Sequence, residues 1–170
     1  AVIDTSAGEP TPDHDTLLLV HCNGTNGNTS FTDSSPFGRT ITTVDGAHHD
    51  SGQAKFGSTS LYCDGTDDEI TIPDSADWVL NDSFTVDFWV YLNGTPANNT
   101  HMCGQGTGSR PTYSFFFRMN SGGTLSAGTS LGSTGPTVTC STNLSNAWHH
   151  IALVYNGTLK LYIDGTSEGS

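Results

Sequence analysis

The strongest pattern in the chain is the alternation Phe84-Thr-Val-Asp-Phe-Trp-Val-Tyr-Leu92. Phe84, Val86, Phe88, Val90 and Leu92 share one face at a period of two, while Thr85, Asp87, Trp89 and Tyr91 share the other. That predicts a strand with one side in a core and the other partly wet. Tyr113–Met119 repeats the theme, and Trp148–Tyr155 and Leu159–Ile163 are two further apolar strands. Asn156-Gly157 between the last two predicts a hairpin with a type I′ turn, whose central residues both need positive φ. Upstream, Thr16–Cys22, Phe31–Ser35, Thr40–Val44, Ser60–Cys63 and Glu69–Ile72 predict shorter extended segments, the last two flanking the turn Asp64-Gly65-Thr66-Asp67-Asp68. Pro73 introduces a helical turn over Asp74–Val79. Residues 1–15 are polar, contain Pro10 and Pro12, and predict an extended arm or linker. The remainder, 16–170, predicts one all-β domain with many strands and regular turns.

Composition supports this picture. Only 13 % of the 170 residues are charged, against about 25 % in an average soluble domain. Gly, Ser, Thr and Asn fill the deficit, and these residues disfavour helices. The formal net charge is −12 with five Lys plus Arg, so a polyphosphate is repelled and nucleic acid is excluded as a partner. The same sign disfavours an anionic membrane surface, and no apolar run approaches the length of a membrane span.

Cys22, Cys63, Cys103 and Cys140 contain no CxxC pair, which excludes zinc-ribbon and thioredoxin-like readings. The favoured pairing is Cys22–Cys63 with Cys103–Cys140, each pair in comparable positions on candidate neighbouring strands; four buried thiols are the alternative. Asn-x-Ser/Thr sequons begin at Asn23, Asn28, Asn81, Asn93, Asn98, Asn143 and Asn156. Their excess over chance favours a glycosylated product of the secretory pathway.

The ordered set Leu17-Leu-Leu-Val-His-Cys-Asn-Gly24, Phe31-Thr-Asp-Ser-Ser35, Lys55–Gly65, Phe84–Val90, Trp148–Val154 and Leu159–Gly165 resembles the laminin-G-like jelly-roll domains of the concanavalin A-like superfamily. The resemblance implies two stacked antiparallel sheets in a jelly-roll sandwich, often with calcium near one edge. It also implies binding of glycans or other surface proteins through loops, outside a cell or on a virion surface, without catalysis. Two departures stand out: Asn23 replaces an acidic residue that relatives often carry after the first strand, and relatives continue beyond Asp164 into closing strands. An incomplete sandwich leaves an open edge, which another chain can fill. The structural rival is therefore a self-assembling subunit of a glycosylated filament or coat, using the N-terminal arm for strand exchange in a homopolymer.

Candidate chemistry is sparse. Asp33, Asp64, Asp67, Asp68 and Asp164 fall at turns where carboxylates suit calcium, although the EF-hand spacing is missing; turn capping is the competing use. A glycoside hydrolase needs two carboxyl groups across the sugar. The only glutamates are Glu9, Glu69 and Glu168, and no strand carries a Glu-x-Asp-x-Glu run. The reading is therefore not an enzyme. The adjacent pairs His48-His49 and His149-His150 point to opposite faces of a strand and cannot grip one ion together. Trp78, after Pro73, is the expected exposed ring for stacking on sugar, whereas Trp89 and Trp148 are expected in or beside the core.

Overall fold

The computed structural model describes residues 12–78, 80, 83–106, 115–129 and 135–170. Their regular secondary structure is β, with antiparallel pairing between the twelve strands, apart from one 3-10 turn, Ala76–Trp78, where the helical turn was expected. The chain divides between Ser75 and Ala76 into two compact units.

The first unit holds β1 (Thr42–Val44), β2 (His48–Asp50), β3 (Ser60–Tyr62) and β4 (Glu69–Thr71). β1 pairs with β4 through Thr43 and Ile70, and β2 pairs with β3 through His49 and Leu61. The segments on either side of the acidic turn thus pair with different partners rather than with each other. Thr16–Cys22, expected as a strand, makes only a single bridge, Val20 to Asp33. The cause is the Asp33 side chain. Its carboxylate accepts the Leu19 N–H at 3.0 Å, substituting a side-chain acceptor for the next rung of a ladder.

The second unit holds β5 (Phe84–Tyr91), β6 (Thr100–Gln105), β7 (Phe115–Met119), β8 (Leu125–Gly128), β9 (Thr137–Thr139), β10 (Trp148–Tyr155), β11 (Leu159–Ile163) and β12 (Thr166–Gly169). Two four-stranded sheets form, in the orders β12-β11-β10-β5 and β6-β7-β8-β9. They close on one core, so the sequence-predicted antiparallel sandwich of the jelly-roll class is present. Phe117, Met119 and Leu125 from one sheet and Ile151, Leu153 and Leu161 from the other are essentially inaccessible to solvent. Each such side chain contributes about 1.5–3 kcal/mol of hydrophobic stabilisation. Phe88 meets Phe117 edge-on between the sheets, at 5.0 Å between centroids.

Turn chemistry corrects one expectation. Tyr155 pairs with Leu159, so three residues connect β10 to β11, and of these only Gly157 has positive φ. The two-residue type I′ geometry occurs one hairpin later. Ile163 pairs with Thr166, and Asp164 (φ 50°) and Gly165 (φ 78°) supply both positive angles.

Glu168 on β12 ties the sandwich together. Its carboxylate accepts the Ser141 N–H (2.7 Å), the Ser141 hydroxyl (2.9 Å) and the Thr142 hydroxyl (2.7 Å). The Ser141 N–H and the Thr142 hydroxyl hold that carboxyl below its ordinary pKa. Glu168 is thereby committed to joining the edge of one sheet to the segment leaving the other.

Candidate cation site and binding faces

The acidic turn of the first unit brings together three of the five carboxylates singled out for calcium. One oxygen each from Asp64, Asp67 and Asp68 lies within 4.8 Å of the others, with Asp64 and Asp67 exposed. Local backbone donors arrange them. Asp68 Oδ1 accepts the Gly46 N–H at 2.6 Å, Asp68 Oδ2 the Asp64 N–H at 2.9 Å, and Asp64 Oδ1 the Thr66 N–H at 2.7 Å. An all-oxygen, all-carboxylate donor set fits a hard cation such as calcium, whose six to eight ligands water and loop carbonyls complete. It does not fit a thiolate-seeking metal. Burial, then the nearby Asp68, Asp64 and Glu69, push the Cys63 thiol up to about 11.

Asp33 and Asp164 are used otherwise. Asp33 is buried, and its two oxygens accept the N–H groups of Leu19, Ser35 and Arg39 and the Ser35 hydroxyl at 2.8–3.0 Å. Burial alone raises its pKa, but the backbone donors of Arg39, Leu19 and Ser35 outweigh it and the carboxyl lies below its ordinary value. Such a carboxylate is a structural hub. Asp164, on the β11–β12 turn, accepts the His150 N–H at 2.9 Å and meets His149 Nδ1 at 2.7 Å. Burial opposes these contacts, yet they hold its carboxyl low. The turn geometry that made Asp164 a candidate ligand serves the hairpin instead.

A polar cavity of about 190 Å³ in the first unit is lined by His21, Asn23, Ser30, Thr32, Ser34 and His49. It is smaller than the roughly 300–1,000 Å³ of a small-molecule pocket. His49 forms its floor, stacked on Phe31 at 4.0 Å. Its Nδ1 accepts the Gly24 N–H at 3.3 Å and its Nε2 faces the Ser30 carbonyl at 3.0 Å, which puts the ring proton on Nε2. A Cβ at Gly24 would lie 2.6 Å from that ring.

The outer face of the first sheet is aromatic. Phe88, Val90 and Ile151 turn into the core, so Trp89, Tyr91, Trp148 and His150 turn away from it. Trp148 is in register with Tyr91 and His150 with Trp89. The ring centroids stand 5.7 and 5.3 Å apart, and all four side chains are half-buried. Beside them the buried Asp87 carboxylate lies 3.1 Å from His150 Nε2. Trp89 and Trp148 line an outer face, and Trp78 is half-buried in its 3-10 turn.

All four cysteines are thiols. The expected Cys103–Cys140 pairing fails on topology, because β6 and β9 are opposite edges of one sheet. Three strand spacings amount to about 14 Å, against a limit of roughly 7 Å between the Cα atoms of a disulfide. Cys140 is instead a core residue whose sulfur accepts the Leu125 N–H at 3.1 Å and faces the Thr142 carbonyl at 3.2 Å. The expected Cys22–Cys63 pairing is likewise not formed, both residues being thiols.

Of the sequons, Asn23, Asn28, Asn93, Asn98, Asn143 and Asn156 are exposed, and Asn81 lies outside the described residues. Asn143 differs from the rest. Its Nδ2 donates to the Gly122 carbonyl at 2.7 Å and its Oδ1 accepts the Ser145 N–H at 2.9 Å.

No Asp or Glu occurs between Phe88 and Ile163, although the chain holds 17 acidic residues. That stretch contains the entire second sheet, and with it Arg118. A simple map of charge along the sequence carries the signal.

Among the described residues, no helix is long and apolar enough to cross a membrane. No curated protein matches the chain. A solved structure of an S-layer domain-containing protein (residues 221–444) from Clostridium thermocellum superposes with a TM-score of 0.55 at 22 % identity, covering 89 % of this chain and 70 % of that one. That similarity establishes shared fold. The family description "Concanavalin A-like lectin/glucanases superfamily", of a laminin-G type, matches residues 64–170. With two antiparallel sheets closed on one apolar core and more than half the sequence matched, the chain belongs to the concanavalin A-like lectin/glucanase superfamily.

Proposed function

We propose that the chain is a non-catalytic, surface-displayed module that binds saccharide by stacking sugar rings on the outer face of β5 and β10. The observation that carries this reading is the pair of neighbouring aromatic couples, Tyr91 with Trp148 and Trp89 with His150. Aromatic faces offer sugar C–H groups an apolar contact, while the adjacent His150–Asp87 pair supplies polar partners for hydroxyls. Binding is thus assigned to a sheet face rather than to loops. The non-catalytic half of the reading is supported by three carboxylates of this unit, Glu168, Asp164 and Asp87, each committed to protein partners. The superfamily also contains glucanases, whose chemistry needs two carboxyl groups placed across a sugar. Asp64, Asp67 and Asp68 would hold a calcium ion, which would neutralise three crowded carboxylates and fix the acidic turn. The exposed sequons are acceptors for glycan if the chain passes through a glycosylating secretory pathway.

Affinity electrophoresis through gels containing neutral polysaccharides tests the reading. Wild type is expected to be retarded, and Trp148→Ala to run freely with an unchanged circular dichroism spectrum. Blank results on a glycan array and on polysaccharide gels, with and without calcium, would remove the saccharide reading.

A second reading, a self-assembling subunit of a surface coat, is favoured by the S-layer designation of the solved relative. The strands β5 and β12 at the ends of the first sheet also offer edges for strand addition. The strand-exchange role of the N-terminal arm belongs to this reading. Concentration-dependent polymers in native mass spectrometry would support it, and a folded monomer at all concentrations would end it.

A further inference from the structure

We infer that Asn156, in the turn between β10 and β11, is a self-modification site: it deamidates through attack by the Gly157 nitrogen, in preference to every other Asn-Gly pair in the chain. The inference does not depend on the saccharide reading.

The sequence contains four such pairs, Asn23-Gly24, Asn26-Gly27, Asn93-Gly94 and Asn156-Gly157. In each, a residue without a side chain leaves its nitrogen sterically open to the Cγ of the preceding Asn. The fold closes three of them. The Gly24 N–H donates to His49 Nδ1 at 3.3 Å, the Gly27 N–H to the His49 carbonyl at 2.7 Å, and the Gly94 N–H to Asn146 Oδ1 at 3.0 Å. A nitrogen whose proton is held by an acceptor must first break that bond before it turns onto its neighbour's side chain. Gly157 differs. Among the described residues its N–H meets no acceptor, and the Asn156 amide holds no partner. Asn156, Gly157 and Thr158 are all exposed, and a Cβ at Gly157 would meet no atom within 4 Å. Tyr155 and Leu159 close the ladder on either side, so the turn is anchored while its own nitrogen stays free.

The step needs only water. The Gly157 nitrogen loses its proton to solvent and bonds to Asn156 Cγ. The Cγ–Nδ2 bond breaks, and Nδ2 leaves as ammonia after taking a proton from water. Water then opens the cyclic imide. Attack at Cγ restores the main chain and leaves a carboxylate where the amide was. Attack at the main-chain carbonyl routes the backbone through the side chain as isoaspartate. Nothing is oxidised or reduced. The second product adds a methylene between Tyr155 and Leu159 and so lengthens the turn that sets their register. Both products destroy the sequon Asn156-Gly157-Thr158. A glycan on Nδ2 and loss of Nδ2 are therefore mutually exclusive fates of one atom.

The test follows the full chain, made without glycosylation, through incubation at mildly alkaline pH. Peptide mass spectrometry with fragmentation that separates isoaspartate from aspartate reads each pair. Asn156 is expected to convert about tenfold faster than Asn23, Asn26 or Asn93, the ratio that one opened hydrogen bond supplies. In denaturant the four rates should converge. Asn146→Gly removes the acceptor of the Gly94 N–H at a position whose φ of 61° suits glycine. With an unchanged circular dichroism spectrum, it should raise the Asn93 rate towards that of Asn156 and leave Asn156 as it was. Comparable rates at all four pairs of the folded chain, or a faster rate at another pair, would overturn the assignment. So would an Asn156 that stays just as dominant in denaturant, because its reactivity would then belong to the local sequence and not to the turn. An unmoved Asn93 rate in folded Asn146→Gly would equally defeat the protection argument.

Discussion

The two units of this chain reach order by different physical routes. The second unit is a sandwich whose strands alternate, whose ladders run up to eight pairs, and whose apolar side chains meet in one dry layer. The first unit has three-residue strands and few buried hydrophobes, chiefly Leu19, Val20, Phe31 and Ala47. It substitutes polar hubs. Asp33 gathers three backbone N–H groups and a hydroxyl, and His49 joins Gly24 to the Ser30 carbonyl. A buried carboxylate that satisfies several backbone donors fixes a non-repetitive loop as firmly as a ladder fixes a strand. Function follows the same division, with the acidic turn on the polar-hub unit and the proposed saccharide face on a sheet of the sandwich.

The largest effect expected from testing this contrast lies in the second unit. Leu161→Ala removes a fully buried side chain between the sheets and should cost about 3–5 kcal/mol by denaturant unfolding. Hydrogen exchange should accelerate first in β10 and β11. A cost below 1 kcal/mol would mean the two sheets are not held by a shared core.

Asp33→Ala is the counterpart in the first unit, with an expected cost of about 2–4 kcal/mol from the orphaned donors. Here the effect depends on pH, with a definite sign. The native carboxyl lies below its ordinary value of 3.8, so it adds stability in full above that value and loses it as the pH falls towards the native pKa. Wild type and Asp33→Asn should therefore converge in acid and diverge towards neutrality. A constant difference across that range would show that shape rather than charge is what Asp33 contributes.

Gly24→Ala is expected to be smaller, about 1–3 kcal/mol. The new methyl would lie 2.6 Å from the His49 ring and must displace it from Phe31. Loss of the His49 ring-proton signal from the slowly exchanging set in NMR would report that displacement. An unmoved ring would show that the backbone at Gly24 yields instead.

This contrast also explains what the sequence discloses. β10 and β11 match their sequence-predicted bounds, and β5 ends one residue short, at Tyr91. In these segments core burial dictates the alternation. Strands β6, β8, β9 and β12 escaped notice because residues such as Thr-Leu-Ser-Ala-Gly carry little apolar contrast. Leu125–Gly128 is buried at every position, so the polar-out half of the pattern is missing there. β2 escaped because paired histidines read as chemistry rather than as sheet. Asp33 was legible as important but not in its role, since a turn carboxylate looks the same whether it serves a cation or four protein donors. The Asp64–Asp67–Asp68 cluster was visible as a local run. By contrast, the outer aromatic face needs the β5–β10 register.

The smallest prediction sharpens the comparison, because it concerns a polar hub inside the regular unit. Glu168 joins β12 to Ser141 and Thr142 by three hydrogen bonds. It lies near the surface, where solvent replaces much of what is lost. Glu168→Ala should therefore cost only about 1 kcal/mol, with faster exchange confined to β12 and the Ser141 amide. Its carboxyl is held below the ordinary 4.5, so this contribution too is complete above that value and fades in acid. If Glu168→Ala proved as costly as Asp33→Ala, regular sheets would depend on polar hubs as heavily as irregular loops do. The stability of the sandwich could not then be assigned chiefly to its apolar layer.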